Sequence, residues 1–404
     1  MKKYWGATLL VAGTCIGSGM LALPMVLSKL GLLPSFLLMG GMWILMYYTA
    51  LVSLELNLQA GQGLSLGSLG RTFSGAGASV AGVTSLKLLS YALLAVFLDG
   101  GSSILARLFA SEMLPFQTTI FADFSVFYVV LVFAFFLLPM RWIDYLNRFL
   151  FLGLISIVGI LMIGLVFQTT WKALPLVGDE VGSLKAWAYV IPIVFTSFGF
   201  HVVFHTLTNY CHKDKNTLKK VFFWGSLIPA LVYTLWTFGV LGATYEAAPD
   251  FYRRMVHSGA TVGDLVQQLS HLAPGGLAQK LIGWLSTLAI LTSVLGVGRG
   301  LIDTWDKVLE NAIPTFSSRR VMSVILTLGP AYSIACLVPN AFITVLGFAG
   351  MILVVIAIAL PLFLLGKVGE KSFFYPFLQY RLGRLICYLL GVLIFVCEMK
   401  NLWN

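Results

Sequence analysis

The segment Gly13-Thr14-Cys15-Ile16-Gly17-Ser18-Gly19 interrupts the first long apolar stretch of the chain, and Pro24 follows it closely. Five of these seven residues are glycine or carry a hydroxyl, a composition that favours a break in a helix. Backbone groups surrounded by lipid must be satisfied within the helix, so a break survives only against protein or a wet cavity. The segment therefore predicts a helix that is broken in the interior of a membrane protein.

The composition indicates a membrane protein throughout. The chain has 404 residues, of which 59% are hydrophobic and only 10% are charged, whereas soluble domains carry about 25% charged residues. A spanning helix needs about 20 apolar residues. Lys2 and Lys3 precede an apolar run as in a signal peptide, but ten further apolar runs follow it, and no cleavage is predicted. The fold class is all-α and polytopic, with eleven predicted spans: 5–28, 32–57, 80–106, 125–140, 149–168, 187–208, 220–243, 279–303, 321–338, 341–366 and 382–399.

The basic residues set the predicted orientation. With the N-terminus inside, 16 of the 26 Lys and Arg residues fall on the inner side, including the cluster at 213–220. This bias places the N-terminus in the cytoplasm and, with an odd number of spans, the C-terminus outside. The net charge of +10 follows this topology and does not indicate nucleic-acid binding. The five cysteines lack metal-ligand spacing, so no metal centre is predicted.

The sixth apolar stretch carries a matching interruption. Its sequence is Phe195-Thr196-Ser197-Phe198-Gly199-Phe200-His201, with Pro192 nearby. Interrupted segments at corresponding positions of two halves indicate a transporter-type site near the bilayer midplane. The chain is therefore predicted to form one transport domain, with five-helix repeats of opposite topology at 1–168 and 187–366 and an additional helix at 382–399.

Two connections are predicted to contain surface helices. Leu64, Leu66, Leu69 and Phe73 have helical spacing in the connection 58–79. In the connection 244–278 on the outer side, apolar residues recur at helical spacing from Val262 to Leu272. Two interpretations stay open for this second helix: a lid over a central cavity, or simple packing against neighbouring spans.

Four segments resemble the hydroxy- and aromatic-amino-acid permeases of bacteria, a family similar to the larger amino-acid–polyamine transporter group. They are the run from Val11 to Pro24, Tyr48-Thr49-Ala50-Leu51 with Glu55, the segment 147–151 (Asn-Arg-Phe-Leu-Phe), and the run from Ile191 to His201. The resemblance implies a LeuT-like fold, location in the bacterial inner membrane, and proton-coupled import of an aromatic amino acid, with tyrosine favoured. The expected partners are this small molecule and the lipid bilayer.

A zwitterionic amino acid needs donors for its carboxylate and acceptors for its ammonium. Free N–H groups at the start of a half-helix supply the donors, and unwound carbonyls supply the acceptors. The alternative for Gly13 and Gly17 is close helix packing. The candidate substrate-binding residues are Thr14, Cys15, Ile16, Gly17, Ser18, Gly19, Tyr91, Phe195, Ser197, Phe198 and Gly199.

Ionisable residues within spans are functional candidates because their burial in lipid is costly. His201 is the leading proton-coupling candidate, against a hydrogen-bonded structural histidine. Asp99 is the second, and a structural aspartate is the favoured alternative for it. Glu55 is assigned to gating or anchoring, and Arg299 with Asp303 to a structural pair.

The predicted function is symport of the amino acid with a proton by alternating access. No cofactor and no catalysis are predicted. A sodium-coupled symporter is the alternative, in which hydroxyls of Thr287, Thr292 and Ser293 would face the first break; Thr292 and Ser293 are the better pair. A membrane-embedded enzyme and a channel are further alternatives, but the chain lacks the common hydrolase, metalloprotease and nucleotide-binding motifs.

Overall fold

The structure is a computed structural model of the full chain, and it describes most of the residues. The described residues are 2–61, 63–110, 120–138, 142, 145–146, 149–150, 152–154, 156–160, 174–201, 204, 207–208, 211, 214–272, 276–310, 316–338, 341–368 and 373–403.

The described residues form helices and connecting turns, without a strand among them. We number the helices whose bounds are defined in chain order. They are α1 Lys2–Cys15, α2 Ser18–Leu27, α3 Leu32–Gln59, α4 Leu66–Ser74, α5 Ala76–Ala110, α6 Ile120–Leu137, α7 Leu184–Ser197, α8 Lys215–Ala247, α9 Pro249–Val256, α10 Val262–Leu272, α11 Gly276–Leu309, α12 Phe316–Leu337, α13 Ala341–Val354, α14 Leu360–Leu365 and α15 Arg381–Trp403. A π-helical turn, Val355–Ala359, joins α13 to α14.

Seven of the described helices are long and apolar enough to cross a membrane, or eight spans if the bent pair α1–α2 counts as one. These seven helices and the bent pair together cover eight of the eleven predicted spans. Two others, 125–140 and 187–208, correspond to shorter apolar helices, Ser125–Leu137 and Leu184–Ser197. Most of the predicted span 149–168 lies outside the described residues. The described residues thus form the all-helical fold of a multi-pass membrane protein, and both the eleven-span count and the inverted repeat stay predictions.

The first helix breaks within the quoted segment. Helix α1 ends at Cys15 and α2 begins at Ser18, with a bend of 48° between their axes. At the end of α1, Ile16 N donates the last helical hydrogen bond, to Ala12 O. In the first turn of α2, Met20 N donates to Gly17 O. A break is therefore present where the glycine and hydroxyl residues predicted it.

The second interruption also ends a helix. Helix α7 stops at Ser197, and tight turns follow in which Phe198 N, Gly199 N and Phe200 N donate to carbonyls two or three residues earlier. Helical residues recur at Phe204 and at 207–208. The chain therefore leaves helical geometry at 198–200, as the sequence predicts.

Both predicted surface helices are present, as α4 and α10. Val262, Leu265, Val266 and Leu269 of α10 are buried, and this face packs on α5 and α11. In this structure α10 is therefore a packed element of the bundle. We call the bundle end that carries Lys2 the N-terminal face and the other end, which carries Lys29 and α10, the opposite face.

Candidate functional site

The two helix breaks contact each other in the interior. A Cβ atom added to Gly19 would lie 2.7 Å from Ser197 Cβ and 2.9 Å from Ser197 Oγ. Gly19 belongs to the first turn of α2, and Ser197 is the last residue of α7. Only glycine at position 19 lets the two broken helices approach this closely.

Tyr233 of α8 joins the two breaks. Its buried hydroxyl lies 2.5 Å from Cys15 O and 2.9 Å from Ser197 O, the carbonyls that end α1 and α7. Carbonyls at a helix C-terminus lack intrahelical partners, and a tyrosine hydroxyl supplies them with a single donor hydrogen. This point of the molecule therefore presents two converging acceptors that share one donor.

A hydroxyl of α11 faces the first break. Ser293 Oγ would lie 2.5 Å from a Cβ atom on Gly17, and it donates to Ala289 O at 2.8 Å. The neighbouring Thr292 is buried, and its hydroxyl bonds carbonyls of its own helix. Of the predicted α11 hydroxyls, the structure brings that of Ser293 to the break.

Aromatic rings surround the second break. Phe198 is fully buried and packs edge-on against the Tyr233 ring, with 5.4 Å between centroids. Phe195 is also fully buried. Tyr91, the remaining predicted ring contact, packs between α11 and α12, where its hydroxyl donates to Leu326 O and accepts from Trp305 Nε1, both at 2.7 Å.

Helix α13 presses directly on the end of α7. A Cβ atom on Gly350 would lie 2.6 Å from both Pro192 O and Thr196 Oγ1. Gly199 in turn faces Leu353, whose Cδ2 would lie 3.0 Å from an added Cβ. The second break is thus fixed against α13, and Gly199 is closely packed there.

His201 lies just beyond the second break. Its Nε2 is 3.0 Å from Thr49 Oγ1 of α3, while its buried Nδ1 has no hydrogen-bond partner among the described residues. The imidazole stacks on Phe200 and borders a cavity of about 30 Å³ together with Asn57. This volume is enough to hold water.

The other predicted ionisable residues have defined partners. Asp99 Oδ2 accepts the backbone N–H of Phe342 at 2.9 Å, so it caps the start of α13 from α5. Arg299 Nε lies 3.7 Å from Asp303 Oδ2 on the same helix. Glu55 lies in an anchoring position at the N-terminal face.

Glu55 holds the segment that precedes α15. Its fully buried carboxylate accepts Phe374 N and Tyr375 N, both at 3.0 Å, and the Gln59 side chain. Lys215 secures the segment from the other side, where its ammonium bonds Phe374 O and lies 5.1 Å from the Tyr375 ring centroid. Burial is the main cause that raises the pKa of Tyr375 above its usual range. These bonds hold the segment against the N-terminal face.

The remaining predicted residues of the first break differ in exposure. Cys15, Ile16 and Gly17 are buried, whereas Thr14 is half-buried and its hydroxyl bonds Leu10 O in its own helix. The side chain of Ser18 lies outside the described set.

Tyr233 and Glu398 are not among the residues that the sequence predicted. Tyr233 carried a signal, because a buried tyrosine hydroxyl in an apolar span needs a partner. Glu398, in the last span, carried one as well, because acidic residues within spans are rare.

Comparison with known proteins identifies the family of this chain. The model of the tryptophan/tyrosine permease family matches residues 1–399. The chain is 30% identical to tyrosine-specific transport system 1 of Haemophilus influenzae, over 98% of this chain and 96% of that protein. It is 27% identical to tyrosine-specific transport system 2 of the same organism, over 100% and 98% of the two chains. It is also 30% identical to glutamine transporter 2 of Aliivibrio fischeri, over 92% and 90%. The chain therefore belongs to the tryptophan/tyrosine permease family.

Proposed function

We propose that this protein is a secondary active transporter that imports an aromatic amino acid, tyrosine first among them, together with a proton. It would work by alternating access in the bacterial inner membrane, with its N-terminus in the cytoplasm. Membership of a permease family supports transport, and the names of the relatives are those of transport proteins. The single observation that carries the proposal is the meeting of two broken helices at Tyr233.

The geometry of the breaks suits a zwitterion. The first N–H groups of α2 point into the break, where the positive end of the helix dipole favours a carboxylate. The carbonyls of Cys15 and Ser197 converge on one point, where an ammonium with three donors would satisfy both. Phe198 lies beside this point and offers a ring surface for an aromatic side chain.

The two faces of the bundle differ in a way that suits alternating access. Among the described residues, a cavity of about 530 Å³ on the opposite face is lined in part by Ile193 of α7, one turn before Ser197. Toward the N-terminal face, the space beside His201 is only about 30 Å³, and Glu55 fastens the chain across that face. A carrier that is accessible from one side at a time needs such an asymmetry.

Proton coupling is energetically sufficient for accumulation. Moving one charge across 100 mV yields about 2.3 kcal/mol, which supports a roughly fifty-fold concentration gradient. The test is uptake of labelled tyrosine by proteoliposomes with an imposed pH gradient and membrane potential. Accumulation that collapses with a protonophore is expected, and accumulation that persists without either gradient would refute proton coupling.

Sodium symport is the second candidate, and one observation favours it. The hydroxyl of Ser293 faces Gly17 at the first break, where hydroxyl and carbonyl oxygens suit a hard cation. Uptake driven by an inward sodium gradient at equal pH on both sides would support this alternative. Absence of any effect of sodium would exclude it.

Competition for uptake between amino acids identifies the substrate. Relatives are named for tyrosine and for glutamine transport, so a polar amide must be tested beside aromatic rings. We expect unlabelled tyrosine, tryptophan and phenylalanine to compete with labelled tyrosine better than glutamine does. Stronger competition by glutamine would refute the aromatic specificity while leaving amino-acid transport intact.

A further inference from the structure

The cavity on the opposite face carries chemistry that the helix breaks do not use. It has a volume of about 530 Å³ and lies between α7, α13 and the end of α15. Small-molecule sites have volumes of about 300–1,000 Å³. The lining includes two nearly buried charged side chains of opposite sign, Lys29 and Glu398.

Glu398 is the negative group of this cavity. It is 3% exposed, and its carboxylate accepts one hydrogen bond, from Asn401 Nδ2 at 3.1 Å. No cationic group lies within ion-pair distance of it in the described part of the chain. A carboxylate can accept about four hydrogen bonds, and a buried charge without a cationic partner is costly. The carboxylate is therefore suited to receive a cationic group from the cavity.

Gly347 fixes where this carboxylate lies. A Cβ atom on Gly347 would come within 2.7 and 2.8 Å of the two Glu398 carboxylate oxygens. The acidic side chain of α15 thus rests against the backbone of α13, and any side chain at position 347 would displace it. The position of the carboxylate depends on this glycine.

Lys29 is the positive group. It is 8% exposed, and its ammonium bonds Glu180 Oε2 at 3.3 Å and the carbonyl of Val256. The same nitrogen lies 5.4 Å from the ring centroid of Tyr189, which also lines the cavity. An ammonium has three donors, so one remains for an anionic group.

We propose that this cavity is a second binding site, which takes a zwitterion with its ammonium at Glu398 and its anionic group at Lys29. The assignment rests on the proposed function, because the cargo of an amino-acid permease has this chemistry. The same pair of groups occurs in the headgroup of phosphatidylethanolamine. Ile193 borders the cavity and accepts at its carbonyl the hydroxyl of Ser197, so an amino acid held here lies one helical turn from the breaks.

The test counts bound amino acid. Purified protein in phosphatidylcholine nanodiscs, which lack primary ammonium groups, is titrated with labelled tyrosine. We expect two tyrosines per wild-type chain and one in Glu398→Gln, whose affinity for the second falls by roughly tenfold or more. Asp250→Asn is the matched control, since that carboxylate is 91% exposed on the same face, and it should bind two.

A second arm distinguishes the headgroup. If one tyrosine binds in every variant but phosphatidylethanolamine co-purifies with the wild type and not with Glu398→Gln, the zwitterion site holds a lipid. If neither ligand depends on Glu398, the inference is overturned. Gly347→Ala displaces the carboxylate without removing it and serves should Glu398→Gln fail to fold. Uptake by the wild type from the same preparation tests the proposed function separately. If the protein transports tyrosine but has a single tyrosine site that does not depend on Glu398, the second site is refuted and the proposed function stands.

Discussion

Tyr233→Phe removes one oxygen from the point where the two broken helices meet. In the wild type this hydroxyl lies 2.5 Å from Cys15 O and 2.9 Å from Ser197 O, and the residue is fully buried. A buried acceptor that loses its donor costs about 1–3 kcal/mol. At about 1.36 kcal/mol per factor of ten, this corresponds to a roughly 5- to 150-fold change in the population of the arrangement that the hydroxyl holds.

The substitution should destabilise the empty carrier more than the carrier with bound amino acid. In the loaded carrier, the ammonium of the cargo would donate to the same two carbonyls and replace the missing hydroxyl. We therefore expect net uptake, which requires the empty carrier to return, to slow by roughly 5- to 150-fold. Exchange of labelled for unlabelled cargo, which avoids that return, should slow much less.

The assay compares net uptake and exchange in proteoliposomes with equal amounts of reconstituted protein. Tyr245→Phe is the matched control, because Tyr245 lies on the same helix and is 42% exposed. Wild-type net uptake by Tyr233→Phe would refute the bridge between the breaks. Equal losses of net uptake and exchange would refute replacement of the hydroxyl by the ammonium.

Three further substitutions test the site and its surroundings. Gly17→Ala should reduce uptake, because its Cβ would lie 2.5 Å from the Ser293 hydroxyl and force it away from the break, whereas Gly41→Ala, with nothing within 4 Å, should transport normally. His201→Ala should flatten the pH dependence of uptake, and an unchanged pH profile would clear this residue of proton coupling. Glu55→Gln should destabilise the protein by about 1–3 kcal/mol, since an amide places a donor against backbone N–H groups; an unaltered melting curve in detergent would contradict its anchoring role.

Local signals in the sequence predicted the helix breaks and the surface helices. Glycine and hydroxyl residues at 13–19 mark the first break, and helical spacing of leucines and valines marks α4 and α10. These features depend on residues close together in the chain, where backbone propensity and apolar periodicity act. They are therefore accessible from the sequence.

The partners of the breaks depend instead on distant contacts. Tyr233 reaches a carbonyl 218 residues away, and a tyrosine in an apolar span shows only that some partner exists. Tyr91 is predicted to contact the aromatic ring of the substrate, and nothing in the sequence indicates that its hydroxyl bonds Trp305 and Leu326. Spacing along a helix gives the face on which a side chain lies, whereas the helix that it meets follows from tertiary packing.

Helix α13 connects the opposite-face cavity to the second break. Gly347 lies against the carboxylate of Glu398. Gly350, one turn further, lies against Pro192 O and the hydroxyl of Thr196. Residues three apart lie on one side of a helix, and glycines there let neighbouring helices approach to backbone contact. A displacement of α13 at the cavity must therefore move the wall of the break, because no side chain at either glycine can absorb it. If the proposed second site holds an amino acid, this contact gives it a physical route by which to bias the proposed site at the breaks.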